Sequence, residues 1–86
     1  MATIEIYTTP MCPFCWRAKR LLDSKNVAYI EINLWAESKR RTEMETRANG
    51  RTSVPQIFID DVAIGGSDEL AALDQAGKLD SLLGIE

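Results

Sequence analysis

Two cysteines three positions apart, with a proline between them, stand where a strand-forming run gives way to a helix-forming one. Thr3 to Tyr7 is rich in β-formers, and Thr8-Thr9-Pro10 ends the run. Pro13 fits the first turn of a helix, where its missing N–H costs nothing. Phe14, Ala18, Leu21 and Leu22 follow at helical spacing as far as Ser24. A disulfide between Cys12 and Cys15 closes too small a loop to staple a fold, so the pair points to redox or metal chemistry.

The pattern downstream sets the order of the elements. Lys25-Asn26 breaks the helix, Val27 to Leu34 reads as a second strand, and Glu37 to Ala48 reads as a polar helix stopped by Asn49-Gly50. Pro55 to Ile59 and Val62 to Ile64 flank Asp60-Asp61, a tight hairpin. Gly65-Gly66 is a turn, and Ser67 is the expected N-cap of a helix whose first turn carries Asp68 and Glu69. Leu70, Leu73 and Ala76 form the apolar side of that helix, Gly77 closes it, and Lys78 to Leu83 forms a last short one. The order is βαβαββα. The helical crossover between the first two strands implies parallel pairing. The expected architecture is α/β, a mixed four-stranded sheet with helices on both faces. Its 86 residues leave room for one domain, spanning 1–86.

Charge narrows the range of partners. A net charge of −3 supplies no broad basic surface, which argues against nucleic acid. The short run Lys39-Arg40-Arg41 reads as a solvated helix face. No apolar stretch approaches the roughly 20 residues that span a bilayer. The opening Met-Ala-Thr-Ile-Glu has neither a basic nor an apolar leader region, so the expected location is cytoplasmic.

Three segments carry chemistry. A helix N-terminus bears partial positive charge and unpaired N–H groups. These stabilise a thiolate, which is the nucleophile, and Cys12 at the helix mouth gains most. Cys15 lies one turn inside, placed to attack a mixed disulfide formed on Cys12. A zinc site wants four ligands; this chain offers two sulfurs and no histidine, so zinc would need a partner chain. Two cysteines that merely fill space fit poorly with the preceding strand and Pro13. In Thr52-Ser53-Val54-Pro55, the proline either marks a sheet edge or follows a cis bond that turns the Val54 backbone outward. Gly65-Gly66-Ser67-Asp68 is turn and cap chemistry. It also makes a helix N-terminus able to hold a carboxylate, with Asp68 beside it for an ammonium group.

In this order and at this spacing, these segments resemble the glutaredoxins over nearly the whole chain, in particular the small bacterial dithiol type. The resemblance rests on Cys12-Pro13-Phe14-Cys15, Thr52-Ser53-Val54-Pro55-Gln56-Ile57-Phe58-Ile59 and Gly65-Gly66-Ser67-Asp68-Glu69-Leu70. It implies a thioredoxin-like fold, a cis Val54-Pro55 bond and use of glutathione, a γ-glutamyl tripeptide with a free ammonium and two carboxylates. By the resemblance, Cys12 is the nucleophile and Cys15 the resolving thiol. The Val54 backbone pairs with the cysteinyl unit, and the Ser67 backbone and Asp68 hold the γ-glutamyl end. Thr9, Phe14, Arg41, Arg51, Ser53, Pro55 and Gly66 complete the expected glutathione site. Two positions depart from the family pattern: Phe14 stands where tyrosine is common, and Thr9 where lysine is frequent. Arg41 or Arg51 is the candidate for the missing cation, and Trp16 reads as surface packing near the site.

The implied activity is glutathione-dependent reduction of protein disulfides and protein–glutathione mixed disulfides, by a monomer with no resident metal. An NADPH-dependent reductase would recharge the glutathione. One rival is a redoxin served by thioredoxin reductase; the Gly65-Gly66-Ser67-Asp68 segment speaks against it. Another is an iron–sulfur carrier, with two Cys12 thiolates and two glutathiones holding a cluster between subunits; Pro13 disfavours that geometry.

Overall fold

The computed structural model describes residues 2–85. Its sheet is built from β1 (Ile4–Thr8), β2 (Ile30–Asn33), β3 (Gln56–Ile59) and β4 (Val62–Gly65), in the order β2-β1-β3-β4. β1 and β2 are parallel, joined by helix α1 (Pro13–Ser24), and the other two pairings are antiparallel. Helices α2 (Arg41–Arg47), α3 (Ser67–Gln75) and α4 (Leu79–Leu83) complete the chain.

Alternation along β1 and β3 sorts the core into two layers. Ile4 and Ile6 lie opposite Ile59 and Ile57, and these four pack with Ala18 and Leu22 of α1, Leu70 of α3 and Leu79 and Leu83 of α4. Tyr7, Ile32 and Phe58 point to the other face and pack under Met44 of α2, Ala48 and Leu34. The mixed four-stranded sheet with helices on both faces is therefore the expected one. Among the described residues, no helix is long and apolar enough to cross a membrane.

Three elements differ from the sequence expectation. The second strand begins at Ile30, not Val27. Asn26 takes a left-handed φ of 57° after α1, and Val27 turns into the α1-side core before the chain reaches the ladder. The polar run expected to be one helix from Glu37 to Ala48 divides into a 3₁₀ turn at Ser38–Arg40 and the short α2. Only Met44 within α2 is buried, so little apolar packing holds the first turn in α geometry. Gly66, not Ser67, is the N-cap of α3; the carboxylate of Glu69 accepts the Gly66 N–H, and Ser67 Oγ is buried with no partner. The hairpin is as expected: Asp60 and Asp61 both have positive φ, 50° and 66°, which closes a two-residue loop compatible with strand twist.

Candidate active site

β1 ends at Thr8, and the chain turns through Pro10 and Met11 to deliver Cys12 to the N-cap of α1. Extended backbone at Cys12 (φ −104°, ψ 109°) aims its side chain back at the helix, so Sγ accepts the Cys15 N–H at 3.3 Å. That is one of the donors a helix start leaves unpaired. Pro13 at the first helical position lacks the N–H that would otherwise go unused. Both thiols are free; Cys12 is half-buried, whereas Cys15 is 1% exposed. Burial pushes the Cys15 thiol up to about 12, and the adjacent Cys12 sulfur adds to the effect. The two cysteines are thus unequal: one reaches solvent at a helix mouth, the other is held as a buried thiol behind it.

The second segment closes over this sulfur. The Val54-Pro55 bond is cis, as the resemblance implied. The Val54 carbonyl lies 3.9 Å from Cys12 Sγ and accepts from the thiol. Arg41 Nη1 donates to the Thr52 carbonyl at 3.0 Å, and Gln56 Nε2 donates to the Ser53 carbonyl at 3.0 Å. The Thr52–Pro55 loop is therefore pinned from both sides of the bend.

A groove of about 180 Å³ runs from Phe14 past Val54 and Pro55 to the start of α3, with Arg51, Ser53, Gly66, Ser67, Asp68 and Glu69 in its walls. Eight of the residues singled out in the sequence thus meet in one cleft, next to Cys12. Thr9 and Arg41 do not line it. The Thr9 backbone instead favours the ionised form of Cys15, and Arg41 is occupied by Thr52. Arg51 does line the groove, where its Nη2 donates to Glu69 at 3.3 Å. Trp16 is exposed on the far side of α1, lining a separate shallow groove with Lys19 and Tyr29.

Three residues not picked out in the sequence shape the site. Glu69 holds both the Gly66 N–H and Arg51, so it fixes the loop that makes one groove wall. Its position three residues after the N-cap is the one capping signal that would have pointed to it. The fit is close at Gly65, where φ is +114° and an added Cβ would come within 2.7 Å of the Glu69 carboxylate. Arg17 forms an ion pair with Asp68 and lies over the Phe14 ring, 5.9 Å from its centroid. Gln56 is buried at the foot of the Thr52–Pro55 loop. No local pattern joins Arg17 to Asp68, 51 residues away. Among the described residues, no group of three or more acidic, cysteine or histidine side chains is placed to hold a metal ion.

Comparison with known proteins gives a consistent result. A family model described as Glutaredoxin matches residues 4–64. Glutaredoxin 3 of Escherichia coli strain K12 is 54% identical over 83 residues, covering 96% of this chain and 99% of that protein. A probable glutaredoxin of a Synechocystis strain is 55% identical over 82 residues, covering 95% and 93%. The solution structure of a glutaredoxin from Brucella melitensis superposes with a TM-score of 0.84 at 49% identity, covering 99% of this chain and 91% of that one. A buckwheat glutaredoxin in complex with glutathione superposes with a TM-score of 0.88 at 28% identity, covering 96% and 77%.

Proposed function

Because this chain belongs to the glutaredoxin family, we propose that it is a glutathione-dependent reductase of protein disulfides and of protein–glutathione mixed disulfides, acting through Cys12. Thiol–disulfide oxidoreduction on a thioredoxin-like fold is what the family membership establishes. The observation that carries the finer reading is the meeting of Cys12 Sγ with the Val54 carbonyl at the mouth of the groove ending at Ser67 and Asp68. A γ-glutamyl tripeptide lying along that groove has its sulfur at Cys12, its cysteinyl backbone against Val54 and its γ-glutamyl end at the start of α3. There the Ser67 N–H faces the carboxylate, and Asp68 takes the ammonium in exchange for Arg17.

In the one-thiol route, the Cys12 thiolate attacks the glutathione sulfur of a protein–glutathione disulfide. The protein leaves as a thiolate that picks up a proton. A second glutathione thiolate then attacks the same Cys12–glutathione bond, releasing oxidised glutathione and restoring Cys12. In the two-thiol route, Cys12 opens a client disulfide and remains bonded to one client sulfur. Cys15 then displaces that sulfur and leaves a Cys12–Cys15 disulfide for two glutathiones to reduce. Phe14, Ser53, Pro55, Gly66 and Arg51 shape the groove, and Arg41 acts on it through the Thr52 carbonyl. The departure from lysine at Thr9 is not made good by a free arginine: Arg41 and Arg51 both have partners. The whole chain, 1–86, acts as one domain, and the working species is a cytoplasmic monomer without a resident metal.

A coupled assay with glutathione, glutathione reductase and NADPH, run beside thioredoxin reductase and NADPH, tests this reading. Turnover is expected with the first system and little with the second. The reverse pattern would refute glutathione dependence.

A further inference from the structure

The edge of α1 away from the glutathione groove carries a polar cluster that the chemistry above does not use. Glu31 of β2 pairs in register with Ile6, so its side chain lies on the α1 face of the sheet. Glu31 Oε2 accepts from Thr8 Oγ1 at 2.7 Å and from Lys19 Nζ at 3.0 Å. Thr8 is buried at the end of β1, and its neighbour Thr9 sets its backbone against the Cys15 sulfur. Lys19 is four residues after Cys15, one turn along the same face of α1. The ammonium is therefore held by Glu31, and through it by Thr8, at the rim of the helix one turn along from the buried thiol.

We propose that Lys19, anchored by Glu31, is a positioning residue for the two-thiol route, favouring the Cys15 thiolate as it attacks a mixed disulfide on Cys12. The proposal rests on Cys15 being the resolving thiol. In that step a bond forms between the Cys15 and Cys12 sulfurs, and the bond from Cys12 to the client sulfur breaks. The client sulfur takes the electron pair, and the proton lost by Cys15 reaches it or water at the helix mouth. Cys15 is thereby oxidised and the client reduced.

The need for help is plain from the surroundings of Cys15. Burial and the Cys12 sulfur oppose its ionisation, whereas the Thr9 backbone and Lys19 favour it. Bonding Cys12 to a client removes one opponent and leaves burial as the main one. The groups that bear on Cys15 come from every side of its packing. Its own helix supplies Cys12 and Lys19, β1 supplies the uncharged Thr8, β2 supplies Glu31 through Lys19, and Asp68 of α3 is turned to Arg17. Lys19 is the one cation in this set whose charge favours the thiolate, and Glu31 partly offsets it.

The two partners therefore act with opposite signs, which gives the test. The rate of Cys12–Cys15 disulfide formation is followed against pH by stopped flow after mixing the reduced protein with a client carrying an intramolecular disulfide. Lys19→Met keeps the stem and removes the charge; its pH profile is expected to move up by about one unit, tenfold in thiolate fraction. Higher basicity returns part of the loss as nucleophilicity, so the rate at neutral pH falls about three- to fourfold. Lys19→Arg restores most of it. Glu31→Gln unmasks the ammonium and moves the profile down. The one-thiol reduction of a glutathionylated client stays within about twofold of wild type in all three variants, on the same exchange chemistry. Profiles that all move together, or do not move, overturn the proposal, as does an equal loss on both routes. Cys15→Ser, run alongside, separates the two readings: it should stall as a mixed disulfide on Cys12, and release of both client thiols by this variant would refute Cys15 as the resolving thiol, whatever Lys19 does.

Discussion

Replacing Glu69 with glutamine tests how the wall of the groove is held. In the native protein one carboxylate oxygen accepts the Gly66 N–H at 2.5 Å and Arg51 Nη2 at 3.3 Å. Glutamine keeps an acceptor but loses the charge. A charge-assisted hydrogen bond contributes about 1 kcal/mol more than a neutral one. Glu69 and Arg51 are each nearly half exposed, so their ion pair adds only a few tenths of a kcal/mol. After allowance for exposure, Glu69→Gln should cost about 1 kcal/mol, or about 4–8 °C in Tm for a domain of this size. The cost should depend on pH. The Gly66 N–H holds the Glu69 carboxyl below the ordinary carboxylate value; partial burial works against this, and Arg51 adds to it. A carboxyl lowered in the folded state stabilises fully above its unfolded value of about 4.3, and the benefit is lost as pH falls through the folded value. Urea unfolding of both proteins at pH 7 and near pH 3 should therefore show a gap of about 1 kcal/mol that closes on acidification. A gap of equal size at both pH values would show that the charge is not what holds the turn. No gap at pH 7 would remove Glu69 from the account.

Asp68→Ala should weaken glutathione use by about 10-fold or more, the loss of one charge-assisted hydrogen bond to the ammonium, while leaving reduction by dithiothreitol nearly unchanged; steady-state rates with the two reductants compare them, and equal losses would make Asp68 structural. Gly65→Ala places a Cβ within 2.7 Å of the Glu69 carboxylate and 2.9 Å of Arg51 at a φ of +114°, so it should cost about 1–3 kcal/mol in urea unfolding and open the groove wall. Both tyrosines should titrate late: burial pushes Tyr29 up to about 12 with Asp23 adding to it, and burial with Glu43 raises Tyr7. A phenol raised in the folded state stabilises fully below its unfolded value near 10 and loses that contribution as pH rises through the folded value, so tyrosinate absorbance should appear together with unfolding rather than near pH 10.

What could be read from the sequence was local. The Pro13 helix start and the Asp60-Asp61 hairpin each follow from residues within a few positions of one another, and both stand as read. The division of the polar run before α2 was not legible, because only Met44 and Ala48 mark its buried side. Val27 looks like a strand residue for the same reason that it enters the core: it is apolar and β-branched, and only the packing decides between the two. At the site, the groove was legible as three separated segments. Their junction depends on partners outside any one segment's local pattern: Arg41 with Thr52 and Arg17 with Asp68. The cis state of Val54-Pro55 came from the family resemblance, since a proline before a strand fits a sheet edge equally well. The exchange of Ser67 for Gly66 as N-cap shows the same limit, because Glu69 reaches back to the Gly66 N–H and moves the cap by one residue.

The central claim is that the half-buried Cys12 at the helix mouth attacks and the fully buried Cys15 resolves. Cys12→Ser and Cys15→Ser, each assayed on a glutathionylated client and on an intramolecular client disulfide, give four rates. Cys15→Ser should keep most of the activity on the glutathionylated client and lose most of it on the disulfide. Cys12→Ser should lose both, because Cys15 is 1% exposed and its thiol is held protonated. A Cys12→Ser variant that still reduced the glutathionylated client, beside a Cys15→Ser variant that did not, would contradict the assignment.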